Sequence, residues 1–589
     1  MTNTTESSAP KTKRKTINPR PDEPRPGEPL VLTYTLSEMP SAQHRAGLAG
    51  LVYLIRFLKN KGCVSGCCEI VDCGASSATL RLDRLGVGAL FDELYAATVE
   101  EKRFTQQRKD RFNEPIPPIR TETEEEGKRD GGKGKAATKI KTYYVYPVVV
   151  PKADFLQVLE PQRDRNGPWL KLWRDMLWSI LRGIPTTRGP YEDRAAGLVV
   201  RDADKAFAQL CKQETESVPL SSTMLLGTQS VTAENVAFRD RVRFEFLLHF
   251  WPIIGQVYVP QVWNVKDNKR EFLGYVVAIP DVALLDSFLA AFVRHMQERT
   301  ADRDGFRPKA AVIDLTVEAG LDLSLCLSNA VSALEGQSRP KKRAVLSVDV
   351  FHVNKEGNNV RLLGCDRVTP TTDLLGEYGR FKNLFWDHIY RRQRLLNLVK
   401  QRPWFFGFDT LMQTLPCQHF LPKTEPGKPP PKGNFSRDVH KTFVALQKEK
   451  STMNDPDSNT PSKPGEQDQL SQIVYGLARN YVERKVETKK KNRPENEKEL
   501  RERISREAFL AVRSRSGADF VEYFCGTLCS VPQGLSRDRF QTVGRALRDE
   551  EGRAALRTLT LLALSAIGFT GFGKERPTDP APDTKPDPT

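Results

Sequence analysis

Gln256 to Ile279 reads QVYVPQVWNV, KDNKR, EFLGYVVAI. Two runs rich in Val, Ile, Tyr and Trp flank a polar turn, which predicts a β-hairpin. Asp281 to Arg299 then shows apolar residues at helical spacing and predicts an amphipathic helix. A second hairpin follows, with AVLSVDVFHV (344–353), the turn NKEGNN (354–359) and VRLLG (360–364). Towards the N-terminus, PLVLTYTL (29–36), CCEIVDC (67–73), ATLRLDRL (78–85) and YYVYPVVV (143–150) read as strands. Ser41 caps a helix running to about Lys59, in which Ala46, Gly47, Ala49 and Gly50 let another element approach closely. Strands and helices mix here without regular β-α alternation, so the fold class is α+β.

Phe381 to Lys400 reads as a basic helix. Pro-rich breaks follow at 423–434 and 453–469. Beyond them LSQIVYGLARNYVER (470–484), ENEKELRERISREAFLAVRS (495–514), DFVEYFCGTLC (519–529), RDRFQTVGRAL (537–547) and AALRTLTLLALSAI (554–567) are helical. Cys525 and Cys529, one turn apart, are expected to face its core together. The organisation expected is a large mixed domain over 30–425, a Pro-rich linker region over 426–469 and a complete all-α helical bundle over 470–573. The charged, Gly-rich 120–141 stretch is expected as a mobile insertion. Residues 1–29, a basic tail, and 574–589 are expected to be disordered.

The chain has 589 residues and a formal net charge of +16, most of it before Met453. An excess of this sign suits an anionic partner, of which nucleic acid is the commonest. Ten cysteines show no framework spacing and the N-terminus is polar, so a reducing cytoplasm is the expected compartment. Leu556 to Phe572 is the most apolar run. Arg557, Thr558, Thr560 and Ser565 interrupt it, which predicts a buried helix and no membrane span.

Asn166 to Arg194 reads NGPWLKLWRDMLWSILRGIPTTRGPYEDR. Pro168 suits a first helical position, and Gly183 with Pro185 suits an exit. Trp169, Trp173, Met176, Leu177 and Ile180 can form one buried face. The other face carries Lys171, Arg174 and Arg182, with Trp178 among them, and leads into a loop with Thr186, Thr187, Arg188 and Arg194. Cations on a rigid element suit phosphate; a core helix with a solvated face is the plainer reading. Gln229 and Asn235 add amides able to meet base edges or phosphates. Asn358, Asn359 and Arg361 lie in a hairpin turn, where Asn is also favoured for backbone reasons. Arg391, Arg392 and Arg394, with Arg402 and Trp404, suit a single strand by charge and stacking.

Catalytic patterns are sparse. Gly127, Gly132 and Lys133 have the glycine–lysine spacing of a phosphate-binding loop, but Gly134 stands where Ser or Thr is required. Cys63, Cys67, Cys68 and Cys73 are weak metal candidates with irregular spacing; buried thiols are the plainer expectation. His249, in FLLHFWP, reads as a satisfied core histidine, and His44 as helix surface. No residues assemble a nucleophile, an acid–base pair or a metal ligand set. No cofactor is expected.

Several segments together carry a resemblance: LTYTLSEMPSAQHRAGLAGLVYLI (32–55), WLKLWRDMLWSILRGIP (169–185), RGPYEDRA (188–195), LLHFWPII (247–254), VPQVW (259–263), GYVVAIPD (274–281) and GNNVRLL (357–363). The chain resembles the large subunit of a type I CRISPR surveillance (Cascade) complex, most nearly the Cmx family of the MYXAN subtype. The resemblance covers about Leu30 to Phe406 and is thinner beyond Pro430. It implies a noncatalytic protein that contacts the 5′ handle of a guide CRISPR RNA and recognises the protospacer-adjacent motif in duplex DNA. It further implies that the protein helps open that duplex, stabilises the R-loop and docks a helicase-nuclease. The implied partners are the guide, the target duplex and its displaced strand, the backbone and handle-binding subunits, and a small subunit. Some type I small subunits are translated from within the large-subunit gene, and Met453 stands where such a start would fall. A nucleic-acid enzyme with a site assembled only in space, a charged structural protein, and a complex that recruits transposition proteins are the alternatives.

Overall fold

The computed structural model describes residues 29–569 apart from 63–65, 111, 127–138, 161–166, 182–184, 213–215, 221–224, 228–237, 265–268, 305–306, 336–342, 357–358, 422–433, 453–465, 493–495 and 531–535. It divides into two compact units. One comprises Met1–Gln261 with Phe272–Pro370, the other Val262–Glu271 with Thr371–Thr589.

The first unit enters as β1 (Leu30–Thr35), α1 (Ala42–Lys61), β2 (Cys68–Cys73) and β3 (Ser77–Leu82). These strands form an antiparallel sheet of order β1-β3-β2. Helix α1 uses its small residues as expected. A Cβ on Gly47 would lie 2.3 Å from the Leu247 carbonyl oxygen, and one on Gly50 2.2 Å from that of Phe250. Asp83 then caps α2 (Arg84–Leu94), accepting from the Gly86 amide at 2.6 Å.

A second sheet joins β4 (Ala97–Phe104), β5 (Arg120–Glu126) and β6 (Lys139–Pro151) in the order β4-β6-β5. This corrects the mobile insertion expected over 120–141, whose two ends are strands; 127–138 lies outside the described residues. Charge does not oppose pairing, because the signs alternate across the sheet. Arg120 meets Glu101 at 2.5 Å, and Arg103 meets Glu122 at 2.6 Å and Glu124 at 2.5 Å, reaching over β6.

Helices α3 (Asp154–Gln157), α4 (Pro168–Asp175), α5 (Pro185–Ala195) and α6 (Asp202–Leu210) follow, then paired short strands β7 (Ser217–Pro219) and β8 (Arg239–Arg241), α7 (Val242–Leu247) and α8 (Trp251–Ile254). The loop expected over Thr186–Arg194 is instead α5. Its first position is Pro185, where a missing N–H costs nothing.

The first hairpin forms with an interruption at Gly274. β9 (Gln256–Asn264) pairs with β10 (Lys269–Phe272) and with β11 (Tyr275–Val282). Gly274 has φ +68°, and a Cβ there would lie 2.2 Å from the Val353 carbonyl oxygen, so glycine is required twice over. α9 (Leu285–Gln297), β12 (Arg303–Asp304), β13 (Arg307–Pro308), β14 (Val312–Ile313) and α10 (Thr316–Glu335) lead to the second hairpin, β15 (Val345–Glu356) and β16 (Asn359–Val368). The resulting sheet runs β10-β9-β11-β15-β16, with β14 parallel to β9. Val276 to Val282 are all buried, and both α1 and α10 pack on β11, so this strand is covered on both faces. Helix α10 is long and apolar enough to cross a membrane, and it also packs against β15 and β16.

Apart from the strand residues within Val262–Glu271, the second unit is helical: α11 (Thr372–Lys382), α12 (His388–Val399), α13 (Phe408–Thr414), α14 (Asn434–Thr452), α15 (Glu466–Asn492), α16 (Glu497–Arg513), α17 (Gly517–Tyr523), α18 (Arg537–Arg548) and α19 (Glu550–Gly568). Leu556 to Ile567 are all buried, so the most apolar run is the centre of this unit, as expected.

Four expectations are corrected here. The basic helix begins at His388, not Phe381, because Asp387 caps it by accepting from the Tyr390 amide at 2.9 Å. The 426–469 linker contains α14, which buries Phe435, Val439 and Phe443 at a spacing of four. The bundle is not complete from 470. Ser436 meets Ser565 at 2.9 Å, and Phe443 stacks on Tyr475 at 4.5 Å, so α14 is one of its walls. Cys525 is exposed, since the π-helical turn Phe524–Leu528 shifts the register and puts Phe524 and Leu528 in the core. The expected terminal tails, 1–29 and 574–589, lie outside the described residues but for Pro29.

Candidate nucleic-acid interface

Helix α4 opens on Pro168 and continues into a π-helical turn, Met176–Ile180. Trp173, Met176, Leu177 and Ile180 are buried as expected, and Trp169 is half-buried. Both indoles are anchored: Trp173 Nε1 donates to the Pro252 carbonyl at 2.7 Å and Trp169 Nε1 to that of Thr300 at 3.1 Å. The apolar face thus locks the rotation of the helix and determines where its polar face points.

That polar face borders a cleft of about 570 Å³. Lys171, Arg174, Asp175 and Trp178 line one side. Glu100 and Lys102 of β4, Val148–Pro151 of β6 and Arg303 of β12 line the rest. Four cations face two acids. Burial raises the Asp175 carboxyl, opposed by the nearby Lys171, Lys102 and Arg307. Arg174 is fixed by its own donors, Nε to the Pro151 carbonyl at 2.7 Å and Nη2 to that of Lys152 at 2.9 Å. Lys171, Lys102 and Arg303 are exposed. A half-buried indole beside exposed cations can hold phosphates and one apolar or aromatic surface together.

The other residues singled out from the sequence are dispersed. Arg188 lies 4.4 Å above the Trp178 ring and 3.8 Å from Glu192. Arg194 is only 10% exposed and is paired with Asp202 and Asp92, so its fork is already committed within the fold. Thr186 and Thr187 fall in the first turn of α5. Arg182, Gln229, Asn235, Asn358 and Met453 lie outside the described residues. Asn359 opens β16 opposite Glu356, and Arg361, exposed, faces Asn354. In the second unit, Arg391 lies over Phe381 at 5.8 Å and Arg394 over Trp404 at 5.4 Å, while Arg392 is exposed. Trp404 is 8% exposed and its Nε1 donates to Ser471, so this indole is a core residue, not a stacking surface. Lys102 and Arg303 were not legible in advance. Each sits in an unremarkable local pattern far in sequence from α4.

The cysteines do not converge. Cys68 and Cys73 stand at opposite ends of β2, about 17 Å apart at the usual strand rise. They cannot share an ion. Cys63 lies outside the described residues. Cys67, Cys68 and Cys73 are free thiols, and burial pushes Cys68 up to about 12. Among the described residues no group of three or more His, Cys, Asp or Glu could hold a metal. His249 packs in the core, its Nδ1 2.6 Å from the Tyr95 hydroxyl. His44 is not helix surface: it is 1% exposed, between Ser41 at 2.7 Å and Asp240 at 2.8 Å.

Residues 67–337 match the family described as Type I-B CRISPR Cas8b N-terminal domain, and residues 345–567 match the Type I-B CRISPR Cas8b C-terminal domain. No curated protein matches the chain.

Proposed function

Because the chain belongs to the type I-B CRISPR Cas8b family, the large subunits of RNA-guided surveillance complexes, we propose that its cationic cleft grips target duplex next to the protospacer-adjacent motif. On this reading the protein is noncatalytic and works in the cytoplasm. It contacts the guide 5′ handle, steadies the opened R-loop and offers a docking surface to a helicase-nuclease. Guide pairing supplies most of the sequence specificity and the protein reads only the short motif, a division of labour seen in other RNA-guided systems. Backbone and handle-binding subunits and a small subunit complete the assembly, and the small subunit is a product of internal initiation near Met453. The narrower Cmx, MYXAN placement rests on the wording of the segments quoted above.

The observation that carries the reading is the cleft itself, with Lys102, Lys171, Arg174 and Arg303 converging from two sheets and a helix beside Trp178. Its test is the double reversal Lys102→Glu plus Lys171→Glu in the assembled complex, with binding to motif-bearing duplex measured across salt. Losing two phosphate contacts should lower affinity and flatten the logarithmic salt slope by about two. An unchanged slope removes the cleft from the interface. Metal-dependent cleavage of DNA by the purified chain would favour the enzyme alternative.

A further inference from the structure

Two acids stand among the cations of the cleft, and they differ in what surrounds them. Asp175 has Lys171, Lys102 and Arg307 nearby, so its charge is met from within the fold. Glu100 is half-buried on β4, and its cross-strand neighbour is Val148, whose side chain can donate nothing. Tyr146 stands opposite Lys102, but its hydroxyl is already engaged. It accepts from the Arg108 amide at 3.1 Å and donates to the Ile116 carbonyl at 2.9 Å. Among the described residues none gives the Glu100 carboxylate a hydrogen bond or an ion pair, and the side chain lines the cleft.

A cleft that only gripped phosphate would bind better without this acid, because a carboxylate among the cations repels every backbone alike. Glu100 and Lys102 lie two residues apart on one face of β4, about 7 Å at the usual strand rise. That spacing lets the cation hold a phosphate while the carboxylate meets the edge of a nearby base. An ionised carboxylate only accepts hydrogen bonds. In the major groove cytosine presents an amino donor alone, and adenine presents one beside its N7 acceptor. Guanine presents only acceptors there, and thymine an acceptor and a methyl group. An acid without an internal partner therefore attracts one base and disfavours the others, which is how an interface gains specificity at some cost in affinity.

We infer that Glu100 is a specificity-determining residue of the cleft, accepting a hydrogen bond from the cytosine amino group of one motif base pair while Lys102 holds a neighbouring phosphate. The inference rests on the duplex-binding reading of the cleft and deepens it. The cations supply affinity for any duplex, and Glu100 supplies the choice among them.

The test uses the assembled complex with Glu100→Ala and the isosteric Glu100→Gln, with thermal unfolding followed in parallel. Affinity is measured for duplexes that carry each base pair in turn at every position beside the guide-matched segment. The unsubstituted complex should prefer cytosine at one position by about tenfold. Glu100→Ala should lose that preference there and nowhere else, and should bind the non-cytosine duplexes more tightly, because an acid has gone. Its logarithmic salt slope should not change, since no cation is removed. Glu100→Gln should move the preference at that position towards adenine, whose N6 and N7 a glutamine amide can pair together. Base preferences that stay intact at every position in both variants overturn the inference, as does a uniform weakening for all sequences. Failure of the inference and failure of the cleft read differently. An unchanged salt slope in the Lys102/Lys171 reversal removes the cleft, and Glu100 with it. A flattened slope there, beside intact base preferences in both Glu100 variants, overturns the role of Glu100 alone.

Discussion

Arg194 and Asp202 form a two-point ion pair, Nη1 to one carboxylate oxygen at 2.9 Å and Nη2 to the other at 3.1 Å. Nε reaches Asp92 at 3.0 Å, and the guanidinium lies 5.6 Å from the Tyr95 ring centroid. The pair closes the connection between α5 and α6 and ties it to α2. Arg194→Ala leaves Asp202 without its fork, so unfolding free energy should fall by about 2–3 kcal/mol. Duplex affinity of the folded variant should not change. Arg194→Lys keeps the charge and loses the geometry, and should recover only part of the stability. Urea titration paired with duplex binding separates this structural role from phosphate contact.

Gly47→Ala and Gly50→Ala should each destabilise the first unit. The added methyl meets a backbone carbonyl at 2.3 Å or 2.2 Å, and carbonyls of the buried α7–α8 segment cannot swing aside as a side-chain tip would. Overpacking of this kind costs about 1–3 kcal/mol. A lower denaturation midpoint at unchanged m-value is the expected result.

Burial pushes His249 down to about 4, against a partial opposing effect of Asp202. The folded chain keeps this imidazole neutral while the unfolded chain takes up a proton near pH 6.5. Its contribution to stability is therefore full above pH 6.5 and is lost as pH falls towards 4. Glu245 acts in the opposite sense. Burial, and then Asp240, raise it to about 7, so it favours folding below pH 4.5 and that contribution is lost as pH rises through about 7. Unfolding free energies measured from pH 4 to 8 should show a shallower acid-side fall in His249→Gln and a weaker alkaline-side loss in Glu245→Gln.

A product initiated at Met453 lacks α13, α14 and Phe420. It uncovers Ser565, whose hydroxyl donates to the Phe420 carbonyl at 2.6 Å, and the ring of Tyr475 that stacks on Phe443. A fragment beginning at Gly407 should accordingly melt higher than one beginning at Met453, and the shorter one should bind a hydrophobic dye more strongly. Equal melting would show that α14 is dispensable, and that the bundle stands alone as its sequence first suggests.

Most elements were legible because each is decided by a short window. The hairpins at 256–279 and 344–364 announce themselves by β-branched runs around polar turns. The small-residue patch of α1 announced a close approach, and the buried α19 was evident from an apolar run too interrupted for a bilayer. Misreadings arose where a local cue was outvoted. Asp387 is an ordinary N-cap, hidden inside a basic run that reads as one helix. The 120–126 stretch looks too charged for a strand until Arg103 and Glu101 are placed opposite it. The linker over 426–469 was judged by its prolines, although Phe435, Val439 and Phe443 already mark a helix.

The sequence by itself determined the class of the fold, the positions of most helices and strands, the sign of the net charge and the family resemblance, since all of these follow from composition and spacing along the chain. Only the tertiary structure decided which cations are spent and which remain on a surface. Arg194 looked like Arg174 and Lys171 in the sequence, yet it is consumed by Asp202 and Asp92, while Arg174 is held at the cleft wall by strand-end carbonyls that leave its charge in place. Lys102 and Arg303 reach the cleft only because β4 and β12 border α4. Trp404, expected to stack on a single strand, is buried and donates to Ser471 for the same reason. A side chain's availability depends on the partners that folding brings to it from distant sequence, and no local pattern encodes those partners.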